Sequence, residues 1–155
     1  TGKFYTVLGD EIFPDGVDEN NPNITAGFLH FVDFSDLDNP VEVAKYELPG
    51  QGSHNYWIED DILYVAMYGG GVRIVDISGD LLGDLYRQGR EIGYIMTGTA
   101  NGYIPNATMS WGAQLYKGYV FYSDWNSGLG SSKVSELKPD NSKANQYINK
   151  TPIID

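Results

Sequence analysis

An all-β fold of repeating four-stranded sheets is what this sequence predicts, and three observations carry it. The 155 residues include 12 Tyr and 19 Gly, with 14% aromatics. Tyr, Val and Ile suit pleated, half-buried surfaces, and Gly supplies turns. Short apolar runs alternate with period two: in 62–68, Ile62, Tyr64, Ala66 and Tyr68 point one way and Leu63, Val65 and Met67 the other. Segments also recur. "HFVDFSD" (30–36) matches "RIVDISG" (73–79), which sets Asp33 and Asp76 43 residues apart, and "ILYVAMYGGGV" (62–72) matches "YVFYSDWNSGL" (119–129), 57 residues on.

The elements follow in order. "KFYTVLGDE" (3–11) resembles the start of the repeating unit, and the first unit has strands at 4–8, 28–34 and 41–48. The second has strands at 54–58, 62–68, 72–77 and 91–96, and the third at 109–115, 119–124 and 129–137. Turn residues separate them at 59–61, 69–71 and 116–118. Residues 79–90 are the one helical candidate, but Gly83 and Gly89 favour a loop or short turn. Both faces of the strands are apolar, as sheets stacked between neighbours require. A unit of ~40–45 residues and about four strands is the size of a β-propeller blade. The expectation is therefore about three blades, at about 1–50, 51–100 and 101–137, followed by a polar tail at 138–155. A closed ring needs roughly 4–8 blades. Three leave two exposed end sheets, an aggregation liability, so the chain reads as a partial propeller or an assembling fragment.

Charge and composition exclude several classes of function. The net charge of −11 repels phosphate backbones and anionic lipid, so no nucleic-acid partner is expected. With no Cys there are no disulfides, thiolate-bound zinc, iron–sulfur clusters or thiol catalysis. No apolar run approaches the ~18 residues of a membrane helix. The chain opens on Thr1 rather than Met, which suggests a processed or cleaved product and leaves a removed signal peptide open.

At "FVDFSDLDNPVEVAKYELPG" (31–50), "HNYWIEDDILYVAMYGGGVRIVDISGDLLGDLYRQGREIG" (54–93) and "PNATMSWGAQLYKGYVFYSDWNSGL" (105–129), the chain resembles the LVIVD-repeat family of β-propeller proteins. The family's V-D-[IV]-S-[DN]-P core is met by Val32-Asp33-Phe34-Ser35, with Asn39-Pro40 after a short insertion, and by Val75-Asp76-Ile77-Ser78 without its Pro. The likeness spans about residues 27–129 and is to the C-terminal blades of secreted or cell-surface proteins. It implies a propeller fold and an extracytoplasmic location, and no known reaction or catalytic residues. Two departures put ring closure in question: Gly130-Ser131-Ser132 replaces the family's closing aromatic, and 138–155 has no repeat character.

The chemistry-bearing residues divide by whether they obey the repeat. Gly69-Gly70-Gly71 lacks the G-K-[ST] ending and following helix of a phosphate loop, so it reads as a strand-connecting turn. Asp33 and Asp76 follow the repeat and are expected to accept backbone N–H groups of the next turn. His54 opens a strand; the only other His is His30, too few for a three-His metal site. Ser53 beside His54 cannot face it along a strand, so a hydrolase triad has no support. The insertion 13–27 breaks the repeat and holds Asp15, Asp18, Glu19, Asn20 and Asn21. Oxygen ligands of this density suit Ca²⁺, although the spacing is not that of an EF-hand. A metal set of Asp15, Asp18, Glu19 and His54 follows from the same reasoning. A second binding loop is 97–111, where Tyr103 and Trp111 offer rings for stacking. Asn23, Asn106 and Asn149 head N-x-[ST] sequons, candidates for glycosylation.

These readings predict a non-enzymatic extracellular binding or assembly module, with a glycan, a protein or Ca²⁺ as ligand. Its partners would be further blades of a parent chain or other copies of itself, as in a surface polymer. The alternative is a metal-dependent propeller enzyme, an oxidoreductase or hydrolase, using His54 and nearby carboxylates.

Overall fold

A computed structural model describes residues 2–14, 16 and 25–134. The candidates Asp15, Asp18, Glu19, Asn20, Asn21, Asn23 and Asn149, and the tail 138–155, lie outside the described residues. Within them the fold is all-β with no helix, in three open sheets, none closed into a barrel.

The first sheet has the order β1-β2-β3-β7, from Tyr5–Gly9, Leu29–Asp33, Val41–Tyr46 and Gly83–Asp84. The second runs β4-β5-β6-β8, from Tyr56–Glu59, Ile62–Ala66, Val72–Asp76 and Glu91–Ile95. The third is β9-β10-β11, from Ser110–Tyr116, Tyr119–Asp124 and Gly128–Lys133. Every pairing is antiparallel except β3 with β7. Every expected strand is present among the described residues with its ends shifted by a few residues, β10 coincides with its expected bounds, and 135–137 of the last expected strand lie outside the described residues. The candidate helix at 79–90 is a loop carrying β7 and a turn. This loop reaches back to the neighbouring sheet: β7 pairs with Ala44 and Lys45 of β3, and Leu81 and Leu85 are buried in the core between the first two sheets.

The sheets stack, with the second in the middle. Leu63, Val65, Met67 and Val75 pack on Leu29, Phe31, Ala44 and Tyr46 of the first. The other face of the second sheet, Ile62, Tyr64, Val72, Ile74, Ile92 and Ile95, packs on Ala113 and Val120 of the third. Wholly buried Phe31, Leu63 and Val65 each contribute about 1.5–3 kcal/mol through apolar burial. The period-two alternation of 62–66 thus divides two cores, which explains why both of its faces are apolar.

The repeated aspartates form the same local turn. Asp33 Oδ1 accepts the Ser35 N–H at 2.9 Å, and Asp76 Oδ1 accepts the Ser78 N–H at 2.8 Å. These hydrogen bonds from Ser35, first by its side chain and then by its backbone, hold the Asp33 carboxyl below the usual carboxylate range.

Candidate functional site

His54, Glu11, Tyr68 and Trp111 meet where the three sheets converge. Glu11 follows β1, His54 precedes β4, Tyr68 follows β5 and Trp111 lies on β9. His54 Nδ1 donates a hydrogen bond to the Trp111 carbonyl oxygen at 2.7 Å, and His54 Nε2 is 3.3 Å from Glu11 Oε1. The Tyr68 hydroxyl donates to the same Glu11 oxygen. Burial first, then the hydrogen bond and charge of Glu11, push the Tyr68 phenol well above its usual pKa, against an opposing pull from the Trp111 indole. Tyr68 is held at φ +42°, a conformation unfavourable for a bulky residue. The Tyr68 carbonyl accepts the Ser110 N–H at 3.0 Å and the Ser110 hydroxyl at 3.2 Å. Backbone bonds also tie His54 N to Ala66 O and Asn55 N to Trp111 O. The cluster is thus largely spent on fastening one sheet to the next.

The pairing of His54 with Glu11 brings one imidazole and one carboxylate together. Among the described residues no group of three or more His, Asp or Glu side chains is arranged to hold a metal ion. The other members of the predicted metal set, Asp15, Asp18 and Glu19, lie outside the described residues.

Of the two rings expected to stack on a ligand, the structure leaves Tyr103 open and occupies Trp111. His54 stacks on Trp111 with centroids 5.0 Å apart and planes 2° apart, and Trp125 packs on it at 4.6 Å and 48°. Tyr103 is 84% exposed. It lines a groove of about 360 Å³ with Met109, Trp125 and Asn126. Trp125 therefore takes the place expected of Trp111. Asn106 is exposed, at φ +63°, on the loop that carries Tyr103.

Two residues that the sequence reading passed over hold this loop. Asn126 Nδ2 donates to the carbonyls of Ile104 and Ala107, both at 2.8 Å, and Asn126 Oδ1 accepts the Ile104 N–H at 2.6 Å. Buried Asp124 accepts the N–H groups of Met109 at 2.7 Å, Asn126 at 2.9 Å and Ser127 at 2.7 Å, and the Thr97 hydroxyl. The D-x-N-S-G run at 124–128 signals an Asx turn, but its distant partners are not written in it. The groove is thus built on a clamped loop, which lowers the ordering cost of binding.

A separate titrating group lies on the outer face of the first sheet. His30 Nε2 is 2.8 Å from Asp10 Oδ2, and its Nδ1 is 3.0 Å from Glu42 Oε1. Burial pulls the imidazole pKa down, but the bonds and charges of Asp10 and Glu42 outweigh it and raise the value above 6.5. A folded-state pKa raised above the unfolded one favours the folded state below about 6.5. That contribution is lost as pH rises through the folded value. Denaturation of His30→Gln across this range is expected to show a weaker decline of stability with rising pH than the parent chain. An unchanged pH profile would remove His30 as its source.

Compared with known proteins, the chain matches no family model, no curated protein and no solved structure.

Proposed function

We propose that this chain is a non-enzymatic binding or assembly module, built of propeller-type blades and working outside the cytoplasm. The sheet stack and the internal repeat support the blade reading, and the resemblance to LVIVD-repeat proteins supports the location. The single observation that carries a binding role is the clamped groove of Tyr103, Met109, Trp125 and Asn126. Tyr103 sits on a loop hydrogen-bonded to the turn that carries Trp125, an arrangement that presents apolar surface at low entropic cost. The ligand class it suits best is a glycan, whose C–H faces stack on aromatic rings.

Titration of a neutral-oligosaccharide panel, followed by tryptophan fluorescence, tests this. Trp125→Ala and Tyr103→Ala are each expected to weaken binding by about tenfold or more, which is about 1.4 kcal/mol. No binding by the parent chain, or unchanged affinity in both variants, would sink the glycan reading.

The contact of His54 with Glu11 keeps an enzyme as the second reading, a metal-dependent oxidoreductase or hydrolase. Metal analysis after dialysis separates the two. Stoichiometric metal lost in His54→Ala favours the enzyme. Ca²⁺ binding kept in that variant but lost in Asp18→Ala favours an ion held by the insertion.

A further inference from the structure

We propose that the two open ends of the sheet stack bind each other between copies of this chain, the third sheet of one copy seating on the first sheet of the next. This rests on the assembly half of the reading above. It comes from a contact pattern that the chain already uses twice.

Each sheet presents a forward face to the back face of its successor, at equivalent positions of the repeat. Tyr5 pairs with Asp33 as Ile62 pairs with Asp76, so Tyr5 and Val7 correspond to Ile62 and Tyr64. Tyr5 and Val7, with Leu29 and Phe31, face the second sheet. Ile62 and Tyr64, with Val72 and Ile74, face the third. The back faces agree as well. Leu63 and Val65 face the first sheet, and their counterparts Val120 and Tyr122 face the second.

The same register identifies both unpartnered ends. Tyr119, Phe121 and Leu129 of the third sheet correspond to Ile62, Tyr64 and Val72. Val72 is 0% exposed, whereas Leu129 is 90% exposed and Phe121 is 48% exposed. On the first sheet, Leu8 corresponds to Val65, and it is 51% exposed where Val65 is 0%. Around Leu8 lie Thr6, His30 and Val32, at the positions of Leu63, Arg73 and Val75. Among the described residues, one end is thus an uncovered forward face and the other an uncovered back face, the two members of the contact repeated inside the chain.

A second copy fits both ends at once. A trough of about 810 Å³ runs from Tyr56 and Trp57 of β4 across the third sheet to Gln114, Phe121 and Leu129 on its forward face. Charge is complementary: Lys133 lies opposite Tyr119 on the forward face and Lys117 lies over Tyr116, while Asp10 and Glu42 flank His30 on the back face. Lys45 shares the back face with its partner Glu47. A forward-to-back contact is heterologous, so it grows into a ring or a filament rather than stopping at a symmetric dimer.

Sedimentation of the full chain over a wide concentration range tests the contact. The parent chain is expected to form species larger than a monomer. Leu129→Glu and Leu8→Glu should each be monomeric, because each destroys one end. An equimolar mixture of the two variants should form a dimer, because each supplies the end that the other lacks. Phe121→Ser and Thr6→Glu replace either variant that fails to melt cooperatively. A parent chain that stays monomeric overturns the proposal and points to cover of these faces by something other than a second copy. A single variant that still dimerises, or a mixture that does not associate, also overturns it. Oligosaccharide binding by the monomeric variants reports separately on the groove, so loss of assembly and loss of the binding reading are distinguishable.

Discussion

Asp124→Ala is expected to destabilise the protein by about 3–5 kcal/mol and to loosen the loop that carries Tyr103. The carboxylate is buried and accepts four hydrogen bonds, from the backbones of Met109, Asn126 and Ser127 and from the Thr97 hydroxyl. Removing it strands these donors, and each one kept from water costs about 1–3 kcal/mol. Partial hydration of the loop keeps the total below their sum. Asp124→Asn retains the volume and one acceptor oxygen, so a loss of about half that size is expected. Asp33→Ala is the contrast. Its Asx bond to Ser35 is solvent-accessible, and a loss of about 1 kcal/mol or less is expected. Urea denaturation of the three variants checks the order. A cost for Asp124→Ala no greater than for Asp33→Ala would show that the clamp carries no stability.

Gly71→Ala is the second large effect, expected at about 2–4 kcal/mol. Gly71 has φ +76°, and an added Cβ would meet the Ile95 carbonyl oxygen at 2.2 Å. That oxygen belongs to the backbone of β8, so relief requires moving a strand. Gly118→Ala separates the two causes. Gly118 has φ +79° with nothing within 4 Å of an added Cβ, so only the left-handed backbone cost of about 1–2 kcal/mol applies. Thermal or urea midpoints for the pair measure the difference. Equal losses would mean that the approach to β8 adds nothing. Two glycines of the turn differ in role: Gly71 carries the positive φ, while an added Cβ at Gly70 would meet a Leu48 methyl group.

Local signals were legible in the sequence wherever their cause is local. Alternation over 62–66 reflects a strand between two cores, and the D-x-S spacing at Asp33 and Asp76 closes a turn within two residues. The repeat made even the third sheet readable, because β10 sits 57 residues after β5 in the same frame. Segment 79–90 was different. β7 has two residues and borrows its partner from another unit, so no period could announce it. Trp111 read as an open ring because sequence does not report which neighbours pack against it; His54 stacks on it and Trp125 packs against it at a tilt. Glu11 carried no signal as the partner of His54, since the pair forms only when β1 and β4 come together.

By itself, then, the sequence determined the strands and the turns, because side-chain alternation and turn geometry act over a few residues. The tertiary structure alone decided which sheet faces are covered, which aromatic ring is open, and which donors Asp124 serves. Those outcomes depend on packing between segments tens of residues apart, where no local preference of the chain records the neighbour.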